Sequence, residues 1–163
     1  MTPISTIFIF NSKGFYIGYH SNLLSYTLNL SNNTSNHEGK RKTIMVCDNE
    51  QDVLHLFGLV LASRYNVITV DSGEECIEKY TEETRRGNRI HLILLDYKLG
   101  TMWGDSVARK INEYNGTNII LISAFDVDHS LVTELENGKY ISKYVRKPIE
   151  NDFLTELVTE IVR

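Results

Sequence analysis

Proline and cysteine each occur only twice in the 163 residues, and tryptophan only once. Cys47 and Cys76 each lie in an apolar-patterned stretch, and the five histidines do not cluster with them, so a disulfide scaffold and a four-ligand zinc site are both excluded. Such sparing cysteine usage fits a reducing, cytoplasmic setting. Long apolar runs are missing too. The longest near the start, Ile7 to Phe10, is far below the roughly 20 residues that a membrane span needs, and neither the basic stretch nor the hydrophobic region of a secretory signal is present. There is no excess of positive charge: the formal net charge of -4 argues against a protein whose main task is gripping nucleic acid phosphates. What is present is a chain with 42% hydrophobic and 23% charged residues, enough apolar side chain for one real core and too short for two. A wholly disordered protein and a multidomain enzyme are excluded together.

The charge is unevenly spread. Residues 1 to 42 hold Lys13, Lys40, Arg41 and Lys42 against the single acid Glu38, a formal +3, so the other 121 residues carry -7. The same 42 residues contain 16 Ser, Thr or Asn, and Ser31 to Asn36 is polar without interruption. This composition predicts a polar extension, disordered or loosely attached, ahead of a domain at 43 to 163. The alternative for its apolar pieces is a hairpin, Ile7 to Phe10 paired with Phe15 to Tyr19, although two strands alone are marginal in water.

From Thr43 short apolar runs alternate with segments of helical period, which predicts a parallel sheet wrapped by helices. Ile44 to Cys47 is a buried-strand run ending at Asp48, followed by a helix from about Glu50 to Ser63 with Val53, Leu54, Leu56, Phe57, Val60 and Leu61 inward. Val67 to Val70 is the second strand. Ser72 with Glu75 reads as a capping box for a helix with Cys76, Ile77 and Tyr80 inward, ending near Gly87. Ile90 to Leu95, apolar apart from His91, ends on Asp96 and is expected at the sheet centre. A loop with Gly100 and Gly104 leads to a helix with Val107, Ala108 and Ile111 inward. Ile119 to Ile122 ends on Ser123. A helix from about Asp128 to Asn137-Gly138 carries Leu131, Val132 and Leu135, and Tyr140 to Val145 is a short fifth strand broken by Lys147-Pro148. Asn151 or Asp152 is expected to cap a last helix bearing Phe153, Leu154, Leu157, Val158 and Ile161.

In open parallel α/β sheets ligands bind beyond the carboxyl ends of the strands. Two carboxylates, a hydroxyl and an ammonium are gathered there: Asp48, Asp96, Ser123 and Lys147. Paired acids at one rim repel unless a cation joins them, and hard oxygen ligands select Mg²⁺ over zinc. With the lysine, such a set suits the oxygens of a phosphoryl group moving onto a carboxylate. Taken singly, each residue has a plainer role: a turn aspartate, a loop hydroxyl, a solvated lysine.

The runs IMVCDNEQDVLHLF, LILLDYKLGTMWGD, IILISAF and YVRKPIE, in this order and spacing over Thr43 to Arg163, resemble the receiver domain of two-component response regulators. The resemblance implies a doubly wound, flavodoxin-like (βα)5 fold, three layers α/β/α, that takes a phosphoryl group from a histidine kinase or phosphotransfer protein. It makes Asp96 the phosphoacceptor and places Asp48, Asp96 and the Lys98 backbone carbonyl at Mg²⁺. Ser123 and Lys147 would contact the phosphoryl group, with Ser123 and Tyr144 as the switch pair and Lys147-Pro148 as a cis peptide. The family usually has two consecutive acids where this chain has Asp48-Asn49. Asn49 would then be a neutral metal ligand and Mg²⁺ binding weak, unless Cys47-Asp48 is the pair, a register that spoils the apolar spacing from Val53 to Phe57. Lys98, two residues after the acceptor, is a second departure.

The leading function is thus a cytoplasmic phosphoacceptor switch, not an enzyme beyond self-phosphorylation and self-dephosphorylation. The chain stops just after the fifth helix, so output is expected by protein contact through the face of the fourth helix, fifth strand and fifth helix. No direct contact with nucleic acid or membrane is expected. The alternative is a pseudo-receiver, a binding module left unphosphorylated by the broken acid pair. A phosphatase of the haloacid dehalogenase type would need Asp-x-Asp, and Asp96 is followed by Tyr97-Lys98.

Overall fold

The computed structural model describes Thr6–Phe10, Tyr16–His20 and residues 41 to 163. In the extension, β1 (Thr6–Phe10) and β2 (Tyr16–His20) pair antiparallel with Ile9 opposite Ile17. The polar stretch Ser31 to Asn36 lies outside the described residues.

Five strands form one parallel sheet: β3 (Thr43–Cys47), β4 (Asn66–Val70), β5 (Ile90–Asp96), β8 (Asn118–Ser123) and β9 (Lys143–Arg146), in spatial order β4-β3-β5-β8-β9. β5 is central, as its near-continuous apolar run predicts. The connections are α1 (Gln51–Ala62), α2 (Gly73–Arg85), α3 (Gly104–Asn112) and α4 (His129–Asn137), and α5 (Asn151–Ile161) closes the fold. The strand period of two divides the core between two faces. Ile44, Val46, Leu92, Leu94, Ile120 and Ile122 meet α1 and α5 on one side, while Met45, Cys47, Ile93, Leu95, Ile119 and Leu121 meet α2, α3 and α4 on the other. Most of these side chains are fully buried, each contributing about 1.5–3 kcal/mol of transfer free energy.

Several boundaries depart from the sequence pattern. The fifth strand is Lys143–Arg146, because Tyr140 and Ile141 bond back to the end of α4 through Leu135 O. The left-handed residue after α4 is Lys139 (φ 58°), not Gly138. Neither Asn151 nor Asp152 caps α5: Glu150 is its cap residue, without a side-chain bond, and Phe153 points outward, 45% exposed. At Ser72 the cap is as expected, its hydroxyl accepting from Glu75 N, but the Glu75 carboxylate reaches Asp71 N. His91 is the extra residue at a register shift between β3 and β5, and its Nδ1 accepts from Thr43 N at 3.1 Å, so the imidazole satisfies an amide that the bulge leaves out of the ladder. Burial, with Arg89 and Lys42 nearby, holds that ring below the ordinary histidine range, which keeps the acceptor nitrogen free of a proton.

The loop expected after Asp96 is a two-strand ribbon. β6 (Lys98–Leu99) pairs antiparallel with β7 (Met102–Trp103), with Gly100 at φ 70° in the turn. Gly104 is not a loop residue but the first residue of α3. A Cβ there would lie 2.6 Å from Asp96 O and 3.0 Å from Tyr97 Cα, both backbone atoms that cannot step aside. Gly104→Ala is therefore expected to lower stability by about 1–3 kcal/mol, measured by denaturant unfolding. An unchanged midpoint would mean that the acceptor loop is not clamped.

Candidate functional site

The chain runs from β3 outward to β4 and then crosses to β5 on the other side of β3, so the order reverses between β3 and β5. A crevice opens at the carboxyl ends of those two strands. Asp48 follows β3 and Asp96 ends β5, and β8 ends on Ser123 one strand further on. Among the described residues only Asp48, Thr81, Asp96 and Ser123 are buried polar or charged side chains, and three of these four stand at strand carboxyl ends.

Burying charge without a partner is costly, and here one cation serves two anions. Lys147 Nζ lies 2.7 Å from Asp48 Oδ2 and 2.7 Å from Asp96 Oδ1, with all three side chains at most 13% exposed. The cis peptide Lys147-Pro148 follows β9, and Lys147 N donates to Ser123 O, which carries the lysine across β8 towards the crevice. The remaining carboxylate oxygens take backbone amides: Asp48 Oδ1 accepts from Glu50 N at 2.9 Å and Asp96 Oδ2 from Lys98 N at 2.8 Å. Burial pushes the Asp48 carboxyl up, to about 6, with Lys147 working against it and Asp96 adding to it. Burial also works to lower the Lys147 ammonium, yet the two carboxylates outweigh it and hold lysine above its ordinary range.

Two carboxylates against one ammonium leave the crevice one negative charge in excess. That remainder, and a rim furnished with oxygen donors, suit a hard cation. Among the described residues no three His, Cys, Asp or Glu side chains gather as a ready metal cage. At this rim the residue after Asp48 is the exposed amide Asn49. The inner face of α1 is as the spacing predicts, with Val53, Leu54, Leu56, Phe57 and Leu61 buried.

Ser123 is 1% exposed, but its hydroxyl is turned to its own loop. It donates to Phe125 O at 2.9 Å and accepts from Phe125 N at 3.0 Å. Tyr144 OH donates to the same Phe125 O at 3.1 Å, so both hydroxyls converge on one carbonyl. Lys98 Nζ lies 5.3 Å from the centroid of the Phe125 ring. Phe125 is thus a member of the site that no sequence pattern announces: its part is played by backbone atoms, and its ring is 53% exposed.

Fold and crevice together define a doubly wound α/β domain with a lysine-bridged aspartate pair at its switch point. Residues 44–159 match the response regulator receiver domain family, and the chain belongs to that family. Response regulator ArlR of Staphylococcus aureus strain Mu50 is 28% identical over 121 residues, 74% of this chain and 52% of its own length, so the chain spans about half of that relative. Among solved structures, the signal receiver domain of a putative Luxo repressor protein from Vibrio parahaemolyticus has a TM-score of 0.64 at 23% identity, covering 75% of this chain and 90% of that one. The CheX-CheY-BeF3-Mg+2 complex from Borrelia burgdorferi has 0.65 at 22%, covering 74% and 88%. These likenesses show a CheY-type receiver fold. The family is a signalling domain, generally non-enzymatic. Among the described residues no helix is long and apolar enough to cross a membrane.

Proposed function

We propose that the chain is a phosphoacceptor switch in which Asp96 takes a phosphoryl group from a phosphohistidine of a histidine kinase or phosphotransfer protein. The observation that carries this reading is Lys147 bridging Asp48 and Asp96 at 2.7 Å each, beside the strand end that bears Ser123. An Asp96 carboxylate oxygen attacks phosphorus, the P–N bond to the donor imidazole breaks with its electron pair going to nitrogen, and an acyl phosphate results. Lys147, already at the carboxylates, holds the incoming oxygens and offsets their charge. Ser123 has one hydroxyl proton, so turning it to the phosphoryl group releases Phe125 O and leaves Tyr144 as that carbonyl's side-chain donor. Asp48, Asp96, the Lys98 carbonyl and the amide oxygen of Asn49 would hold Mg²⁺. When bound, the ion neutralises charge on the transferring group.

Output runs through the face of α4, β9 and α5, where Tyr144 reports on Ser123, by contact with a downstream protein in the cytoplasm. The family match, the Asp48-Asn49 register supported by the buried face of α1, and the excess negative charge of the crevice all support this reading. Labelling by acetyl phosphate with and without Mg²⁺ tests it, and the expected result is Mg²⁺-dependent labelling at one site. A folded chain that takes no label under either condition would instead be a pseudo-receiver, its acid pair broken at Asn49.

A further inference from the structure

Five large apolar side chains are exposed among the described residues, and the two most exposed, Phe125 at 53% and Trp103 at 50%, belong to the loop after β8 and to the β6-β7 ribbon after Asp96. Trp103 is rigidly mounted. It pairs with Lys98 across the β6-β7 ribbon, and its ring lies 5.2 Å from that of Tyr97. The ribbon is tied to α2 by Thr101 Oγ1 donating to Glu74 at 2.9 Å, and its end is closed by Gly104 N donating to Tyr97 O at 2.8 Å. Phe125 is held on the other side of the mouth by the Ser123 bonds of its backbone and by Lys98 Nζ over its ring.

From this arrangement we infer that Trp103 and Phe125 form an aromatic rim that docks the protein surface around the donor's phosphohistidine. The inference rests on the proposed phosphoacceptor role and adds the recognition surface to it. Asp96 is recessed, 7% exposed, and in-line attack requires its oxygen within about 3–3.5 Å of phosphorus. A histidine side chain is short, so a donor that reaches Asp96 brings its own backbone and neighbouring side chains down onto the rim. Tryptophan in such a position supplies a large contact area at little conformational cost and is enriched among the residues that dominate binding energy. Small-molecule donors enter the mouth without touching the rim.

The test compares two donors on one variant. The protein donor is the autophosphorylated histidine kinase that transfers fastest to the wild-type chain among a panel, and the small donor is acetyl phosphate. Trp103→Ala is expected to lower kcat/KM for the kinase at least tenfold while acetyl phosphate labelling stays within twofold, which also shows that the variant folds. Trp103→Phe should restore most of the loss, and Phe125→Ala should also lower kcat/KM for the kinase, more weakly. Equal losses with both donors, or no loss with the kinase, would overturn the inference, as would a panel that never transfers to a chain acetyl phosphate labels well. Loss of binding only to a downstream protein would assign the rim to output instead. A wild-type chain that acetyl phosphate leaves unlabelled would remove the phosphoacceptor reading itself.

Discussion

Asp96→Asn is expected to abolish labelling by acetyl phosphate while leaving the chain folded. An amide oxygen is too weak a nucleophile to form the acyl phosphate, and Asp48, the other buried carboxylate among the described residues, stays paired with Lys147 and Glu50 N. The fold should tolerate the change because it relieves one repulsion as it removes one attraction. In the wild type Asp96 adds to the forces that raise Asp48, and Lys147 is shared between them; in the variant Lys147 and Asp48 form a balanced pair. The cost is one acceptor, since a single amide oxygen faces both Lys98 N and Lys147 Nζ, about 0.5–1.5 kcal/mol. The melting temperature should therefore fall by no more than roughly 8 °C. Mass spectrometry of the intact protein after acetyl phosphate treatment reads the outcome, and a label retained in the folded variant would take Asp96 out of its role.

The crevice was legible because three of the sheet strands announce their ends. Ile44 to Cys47 and Ile119 to Ile122 are unbroken apolar runs, Ile90 to Leu95 is interrupted only at His91, and the first polar residue after each falls where the chain leaves the sheet. In a parallel sheet all those ends lie on one side, so Asp48, Asp96 and Ser123 must converge once the topology is known. Periodicity could not find the β6-β7 ribbon, whose strands have two residues each and whose shape is set by Gly100 and by backbone pairing. Nor could it assign Gly104, where the absent Cβ matters only because Asp96 O lies beside it. His91 stands out in the sequence as a polar break in an apolar run, yet its reason, an amide left over at a bulge, is a matter of register between two strands 40 residues apart and more. Phe125 is the same case at the site: a carbonyl that gathers two hydroxyls has no side-chain signature.

The second large effect is expected at Asn49. Asn49→Asp should tighten Mg²⁺ binding by roughly one to two orders of magnitude, equivalent to about 1.4–2.8 kcal/mol, and speed labelling of Asp96 at limiting Mg²⁺. A full charge added near the metal, at an effective dielectric near about 20, brings several kcal/mol of raw attraction. Two effects offset part of it. The new carboxylate repels Asp48 and Asp96, whose mutual repulsion already helps lift Asp48 to about 6, and it must shed water to reach the metal. The second cost is modest because position 49 is exposed, unlike Asp48 at 3%, so the new charge stays partly solvated. The balance favours tighter binding, and by the same reasoning Asp48→Asn should weaken it, since the crevice then keeps one carboxylate against Lys147 and no charge in excess. Trp103, half exposed on the ribbon across from Lys98, gives a fluorescence signal for the titration. Should Asn49→Asp leave the affinity unchanged while Asp48→Asn eliminates it, Asp48 is the direct ligand and Cys47-Asp48 the true register.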